Sequence, residues 1–520
     1  MSAQPNPDPR PIDHVAERGN DAAPALVLRS GTLNHKDLKD RVARLAGWLQ
    51  RLGLEPGARV ASWAAKGELT CLMPLAAPRA GLVHVPINPL LKRAQVAHIL
   101  ADSGAALLMA TPSRLGTLEP GDCPGRCCAL AEDAVLDEAS TAEPIGPSSA
   151  DPHALAAILY TSGSTGRPKG VMLSHANLWL GADSVVCYLG MAADDVTLAV
   201  LPFAFDYGQN QLLSTWSAGG CVVPLDYLAP RDVIKAVERH GVTTLAAVPP
   251  LWVQLTELEW PADVAANLRR LTNSGGALTV DLVRKLRGLF PAAQLFPMYG
   301  LTEAFRSTYL DPALVGAHPT SMGKAIPHAE VLVIGDHGGV TADGEEGELV
   351  HCGPLVAQGY WQNPARTAER FKPAPAGSRY GGMAVWSGDQ VRRAADGLLY
   401  FAGRRDAMIK SAGNRISPQE IEDAALASGL VAEAVALGIA DARLGQAIAL
   451  VVRAAPHADS PANRLPAILK SELPNFMQPA VIHWIETMPI SPNGKIDRAL
   501  LQQTLRDAAV GRETARELGA

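Results

Sequence analysis

Tyr160-Thr-Ser-Gly-Ser-Thr-Gly-Arg-Pro-Lys-Gly170 packs three glycines, four aliphatic hydroxyls and two cations into one short stretch. Gly163, Gly166 and Gly170 let backbone N–H groups converge, and a concavity of that kind binds anions. Thr161, Ser162, Ser164 and Thr165 add hydroxyl donors, while Arg167 and Lys169 add positive charge. Upstream, Ala154-Leu-Ala-Ala-Ile-Leu159 reads as a buried strand, and Ser174-His-Ala-Asn-Leu178 reads as the start of a helix. The stretch is a cradle for a polyphosphate.

It is not a Walker-type loop. That pattern requires glycine five residues after its first glycine, and Gly163 plus five is Pro168. A flexible Ser/Gly linker is the plainer alternative. A linker, however, has no reason to follow an apolar strand and to end in Pro-Lys-Gly.

A chain of 520 residues is too long for one core, and about three compact units are expected. Apolar residues make up 48% and charged residues 19%, the balance of a folded globular protein. The net charge of −6 gives no dominant basic surface, which argues against a nucleic-acid partner. Cys123, Cys127 and Cys128 cluster without a second Cys/His pair to complete a zinc site, so the seven cysteines read as free thiols. The polar N-terminus does not read as a secretory signal, and no apolar run reaches membrane-spanning length. The expected location is the cytoplasm.

Residues 1–12, rich in Pro and Asp, read as a disordered tail. Leu38, Val42, Leu45, Leu49 and Leu52 recur at helical steps, with Asn34 and Asp37 serving the N-terminus and Gly53 the C-terminus. Arg59–Trp63 and Ala105–Ala110 read as strands around a helical Arg93–Leu100; residues 111–150 read as surface loop. Strand and helix signals alternate again from 154 to about 350, and a compact α/β segment follows a linker near Asp406. The fold class is α/β: a large N-terminal domain over 13–404 with mainly parallel sheets, and a small C-terminal domain over 405–520.

The cradle, Tyr299-Gly-Leu-Thr-Glu303, Trp386-Ser-Gly-Asp389, Gly403-Arg404 and Pro492-Asn-Gly-Lys495 follow one another in an order that resembles the AMP-forming, adenylate-forming ligases. The resemblance spans roughly residues 30–500. It implies a two-domain ligase fold with ATP, Mg²⁺ and coenzyme A as cofactors. In that family Glu303 would ligate Mg²⁺, Thr302 would donate to the α-phosphate and Tyr299 would stack on adenine. Asn273-Ser-Gly275-Gly276-Ala277 would form the adenine-side loop, and Asp389 would take the ribose hydroxyls. Arg404 would contact ribose or phosphate, Asp406 would be the hinge, and Lys410 and Gly413 would face the thiol. Lys495 would be the catalytic lysine. Val85-Pro-Ile-Asn-Pro-Leu-Leu-Lys92 further resembles the acyl-CoA ligases associated with exosortase A systems.

Leu201-Pro-Phe-Ala-Phe205-Asp206-Tyr-Gly208 corresponds to the family's acyl-pocket motif, and the resemblance adds Gly300 to that pocket. The Phe-Asp pair resembles amino-acid adenylation domains, where the aspartate meets an α-ammonium. A pocket carboxylate is costly unless paired. Asp206 therefore points to a substrate amine, to a protein partner such as Arg, Lys or a hydroxyl, or to an acid with another polar group. The acceptor is coenzyme A or a separate carrier protein, with the family resemblance favouring coenzyme A. An amino-acid–carrier protein ligase is the alternative of the same chemistry, and a non-catalytic nucleotide-binding scaffold is the alternative of another class.

Overall fold

The computed structural model describes residues 8–125, 127–161, 168–404, 408–411, 414–441, 443–456 and 458–517. Leu155–Thr161 and Lys169–Ser174 pair antiparallel, with Thr161 opposite Lys169. The cradle therefore joins two strands of a hairpin instead of leading straight from strand to helix. Val171 and Leu173 are buried on the return strand, which places it in the sheet. The helix expected at Ser174 follows as His175–Leu189. Ser174 caps it: its Oγ accepts from Asn177 N–H at 3.1 Å, and Asn177 Oδ1 accepts from Ser174 N–H at 2.9 Å.

This hairpin closes a six-stranded sheet of otherwise parallel strands in the order Cys128–Ala131, Leu107–Ala110, Arg59–Trp63, Val83–Pro86, Leu155–Thr161 and Lys169–Ser174. The segment 111–150, expected as surface loop, contributes regular structure instead. It supplies the edge strand Cys128–Ala131 and the helix Glu132–Ser140, which is tied to the helix His35–Arg51 by Trp48 Nε1 donating to Glu138 at 2.8 Å. The strand is half exposed, so it carries no apolar alternation to find.

A second sheet of 14 strands changes character midway. Pro24–Leu28, Cys221–Pro224, Val196–Ala199, Thr244–Ala247, Arg270–Asn273 and Gln294–Tyr299 run parallel, with helices between them. From Thr308 to Arg404 the strands are antiparallel. The alternation of helix and strand expected to about 350 thus ends at Tyr299. Beyond it the chain turns back on itself at glycines with positive φ, among them Gly338 and Gly344, which leaves no length for crossover helices.

The disordered tail expected over 1–12 does not extend to Ile12. Ile12 is fully buried and opens a 3₁₀ turn, Ile12–Glu17. Asp13 holds this turn in place by accepting from Arg79 Nε at 3.1 Å and from Ser148 N–H and Oγ at 2.9 and 2.7 Å. Both charges are buried, so loss of either partner strands the other. The Ile12 N–H donates to His175 Nδ1 at 3.1 Å, which gives that histidine a packing role.

The segment after residue 408 has its own core of Ile409, Ile421, Ala436, Leu450 and Leu465. Val431–Asp441 and Gly445–Ala454 pair antiparallel, and Val481–Trp484 adds in parallel. The helix Pro461–Glu472 ends two residues before Pro474. Among the described residues no helix is long and apolar enough to cross a membrane.

Candidate active site

The parallel strands of the large sheet end where the antiparallel ones begin, and a cleft of about 650 Å³ opens there. Thr161 and Lys169 from the hairpin enter it on one side, and Phe205 and Asp206 from the start of the helix Asp206–Ser217 on another. Gly275, Gly276 and Ala277 follow the strand Arg270–Asn273, and Tyr299, Gly300, Thr302 and Glu303 follow Gln294–Tyr299. Asp389 and Arg404 face each other across two antiparallel strands, and Lys495 comes in from the C-terminal segment. Residues separated by more than 300 positions thus share one space. Ser162, Gly163, Ser164, Thr165, Gly166, Asp406 and Gly413 lie outside the described residues, as does the Lys410 side chain.

Glu303 accepts from Lys169 Nζ at 2.8 Å and from the Tyr360 hydroxyl at 2.7 Å, both on Oε1. Burial pushes its carboxyl up, but Lys169 and Tyr360 outweigh that and hold it below the usual value. Glu303 is therefore ionised at neutral pH. Burial in turn lowers Lys169, opposed by the attraction of Glu303. A single ionised carboxylate beside hydroxyls fits Mg²⁺, which takes one or two protein carboxylates and fills its shell with phosphate and water. Among the described residues no cluster of three or more His, Cys, Asp or Glu forms a closed metal cage.

Thr302, expected to donate to a phosphate, donates its hydroxyl to Asp206 Oδ1 at 3.1 Å. Asp206 also lies 3.9 Å from the Arg306 guanidinium. Burial raises its carboxyl pKa, against the pull of Arg306, Lys495 and Thr302. The carboxylate of the acyl-pocket motif is thus met by protein groups. Tyr299 donates its hydroxyl to Asp389, and Arg404 Nε lies 3.4 Å from the same carboxylate.

Lys495 is half-buried, with Nζ 5.0 Å from the Phe205 ring centre. Burial lowers its pKa; Asp206 raises it and Arg306 lowers it further. Gly275 makes room for it. Its φ is +84°, and a Cβ there would come within 2.7 Å of Lys495 Cε. The Gly-Gly loop and the C-terminal lysine are therefore complementary parts of one site.

Three further residues belong to the site without a motif to announce them. Tyr360 bonds Glu303, Arg306 faces Asp206, and Asn88 grips the lysine loop by donating to Pro492 O at 2.9 Å and Asn493 Oδ1 at 3.2 Å. Asn88 stands in the Val85–Lys92 stretch, but nothing in that stretch points to a partner 400 positions away. Tyr360 and Arg306 have partners too distant in sequence, or too ordinary in type, to stand out.

The AMP-binding enzyme family matches residues 12–361, and its C-terminal domain matches residues 420–495. The chain is 32% identical over 481 residues to a feruloyl-CoA synthase from an Amycolatopsis species, covering 91% of this chain and 94% of that one. It is 31% identical to the L-proline–[L-prolyl-carrier protein] ligase of Pseudomonas fluorescens, covering 92% and 95%. It is also 31% identical to a linear gramicidin synthase of Brevibacillus parabrevis, covering 94% of this chain but only 9% of that much longer protein. ATP-bound MatB from Rhodopseudomonas palustris superposes with a TM-score of 0.85 at 24% identity, over 96% of this chain and all of that one. That structural likeness shows a shared fold, and with both family matches it fixes the assignment: the chain belongs to the AMP-binding enzymes.

Proposed function

We infer that the chain activates a carboxylic acid with ATP to an acyl adenylate, releasing pyrophosphate, and then transfers the acyl group to the thiol of coenzyme A, releasing AMP. The observation that carries this reading is the convergence of Glu303, Asp389, Arg404 and Lys495 on one cleft with the acyl-pocket pair Phe205-Asp206. In the first step a carboxylate oxygen bonds to the α-phosphorus of ATP and the bond to pyrophosphate breaks. The acid arrives ionised, so no base is needed. Lys495 lowers the repulsion between carboxylate and phosphate, while Thr161, Lys169 and the Ser162–Gly166 cradle hold the polyphosphate. Bound Mg²⁺ would be held by Glu303 and would neutralise phosphate charge. Asp389 and Arg404 take the ribose, and Tyr299 with Gly275, Gly276 and Ala277 flanks the base.

The unit 405–520 then turns about Asp406 relative to 13–404, withdrawing Lys495 and bringing Lys410 and Gly413 to the thiol. The Val85–Lys92 stretch supports placement among the exosortase-associated ligases, and the cytoplasm suits a consumer of ATP and coenzyme A. A carrier-protein ligase for an amino acid is the second reading, favoured by the L-prolyl relative. It requires Asp206 to exchange its protein partners for an ammonium group.

The deciding experiment is acid-dependent pyrophosphate release with ATP and Mg²⁺ over fatty, aryl and amino acids. Turnover of acids without an amine, followed by thioester formation with coenzyme A, is the expected result. Activity confined to amino acids overturns the coenzyme A reading, and ATP binding without pyrophosphate release for any acid overturns the ligase.

A further inference from the structure

Arg306 is only 2% exposed, and its charge is met only in part. Asp206 lies at 3.9 Å, outside hydrogen-bond range, and the bond from Nη1 to Ser274 Oγ is long at 3.5 Å. The Tyr188 hydroxyl oxygen accepts from the guanidinium and donates its proton to Met298 Sδ at 2.9 Å. Nε has no partner among the described residues. The guanidinium sits 4.5 Å over the Tyr207 ring and 5.3 Å from the Phe305 ring, so aromatic faces fix its plane. Phe305 itself holds φ +60°, an uncommon conformation for a bulky residue and a cost the fold sustains immediately before Arg306. A guanidinium carries five donors, and leaving them unmet in the interior is expensive.

Behind Arg306 lies a second, small cavity of about 20 Å³, which shares the Arg306 and Met298 side chains with the main cleft. Two more of its walls bear buried polar atoms without a partner among the described residues, Asn210 Nδ2 and Thr244 Oγ1. Nε of Arg306 and Nδ2 of Asn210 can only donate. Where the inner cavity meets the cleft, these two buried donors therefore stand unmet, and the cavity's volume suits one small polar group and not a chain. Asp206 accepts from Thr302 and has Arg306 and Lys495 as neighbours, so cationic groups already stand beside the pocket carboxylate that an ammonium group would need.

Building on the ligase reading above, we propose that Arg306 is the specificity-determining residue of the acyl site and that the acid it selects carries a second oxygen acceptor, a hydroxyl, carbonyl or carboxylate, at the end remote from the reacting carboxylate. That group docks on the guanidinium where the cleft meets the inner cavity. Plain alkanoates and aryl acids leave the buried donors unmet and are discriminated against, the asymmetry expected of a site built to hydrogen-bond its substrate.

The test uses matched acids differing only in the second group: butyrate against 4-hydroxybutyrate, succinate and 4-aminobutyrate, and benzoate against 4-hydroxybenzoate. The full chain should favour an oxygen-bearing member over its plain partner by at least about ten-fold in kcat/KM for the acid. Hydroxy and dicarboxylic members separate a neutral acceptor from an anionic one. Arg306→Met should bring each pair to within about three-fold with little change in the KM for ATP, and Arg306→Lys should restore part of the preference. Equal use of the plain acids, a preference that survives Arg306→Met, or selection of the amine overturns the proposal. If no acid is turned over, the ligase reading is at fault. The same acyl groups presented as acyl-sulfamoyl adenosines then decide the Arg306 contact by binding alone: equal affinity within each pair refutes it.

Discussion

Lys495 carries its charge into a space already occupied by Arg306 and bordered by Arg404, and burial adds to the cost. A lysine held there at depressed pKa is poised for a partner that brings negative charge, which an acid and an α-phosphate together supply. Lys495→Ala should reduce acid-dependent pyrophosphate exchange by at least about a hundred-fold, the usual effect of removing one charge-stabilising donor. It should leave thioester formation from supplied acyl-AMP and coenzyme A near wild type. The sign of the pH effect follows from the lowered pKa. In the role proposed for Lys495, adenylation needs the protonated amine, so its rate should hold at lower pH and fall as pH rises through a value below the ordinary ~10.4 of lysine. Thioester formation should instead climb with pH as the acceptor thiol ionises. An alkaline decline shared by both half-reactions would mean that another group titrates. Gly275 provides an independent handle, because a methyl group there meets both positive φ and the Lys495 stem. Gly275→Ala should depress adenylation more than thioester formation; equal effects would trace to loop strain alone.

Two histidines sit inside strands, and their burial has a measurable consequence. His84 on Val83–Pro86 and His351 on Glu346–Cys352 are both pushed down to about 3 by burial. Each has one hydroxyl partner, Ser62 and Ser307 respectively, at 2.9 Å. In the folded chain they stay neutral, while the unfolded chain protonates them near 6.5. Their contribution to stability is therefore complete above about pH 6.5 and is lost as pH falls from there towards 3, on the order of 1 kcal/mol per pH unit for each. The urea midpoint should drop between pH 7 and pH 5, and His84→Gln should flatten that slope. An unchanged slope would show that His84 takes up its proton in place. Strands such as Arg59–Trp63 and helices such as His35–Arg51 were legible because apolar spacing and the Asn34/Asp37 box are local. The antiparallel strands after Thr308 were not, because partners such as Asp389 and Arg404 are chosen by turns and sheet edges with no spacing of their own. The site divides the same way. Glu303, Asp389 and Lys495 stand in short glycine-bearing motifs, whereas Tyr360 and Arg306 matter through neighbours found only in three dimensions.

At the scale of the molecule, the question is what keeps the C-terminal unit over the cleft while Lys495 is in place. The contact made by Lys495 itself is aromatic and weakly directional, 5.0 Å from Phe205. The directional bonds are elsewhere. Asn88 Nδ2 reaches Pro492 O and Asn493 Oδ1, and its Oδ1 accepts from Leu90 N–H at 2.9 Å, so the side chain is braced on its own domain while gripping the other. Farther out, Arg453 of the C-terminal unit pairs with Glu257 at 3.0 Å, but that pair is partly exposed and its worth is small. Nearer the hinge Ser417 Oγ donates to Ala402 O at 2.9 Å, so Asn88 supplies the directional bonds at the lysine loop itself. On the domain rotation proposed above, two hydrogen bonds of about 1 kcal/mol each favour the closed arrangement and would be lost as the lysine loop withdraws. Asn88→Ala should therefore slow adenylation by up to about thirty-fold and leave thioester formation from acyl-AMP unchanged, whereas Arg453→Ala should alter neither by more than about two-fold. Paired half-reaction rates, with thermal melts to confirm that the variant folds, read this directly. If Asn88→Ala slows both steps equally, the residue serves only the turn at Leu90, and the closed state is held by contacts spread over the whole interface.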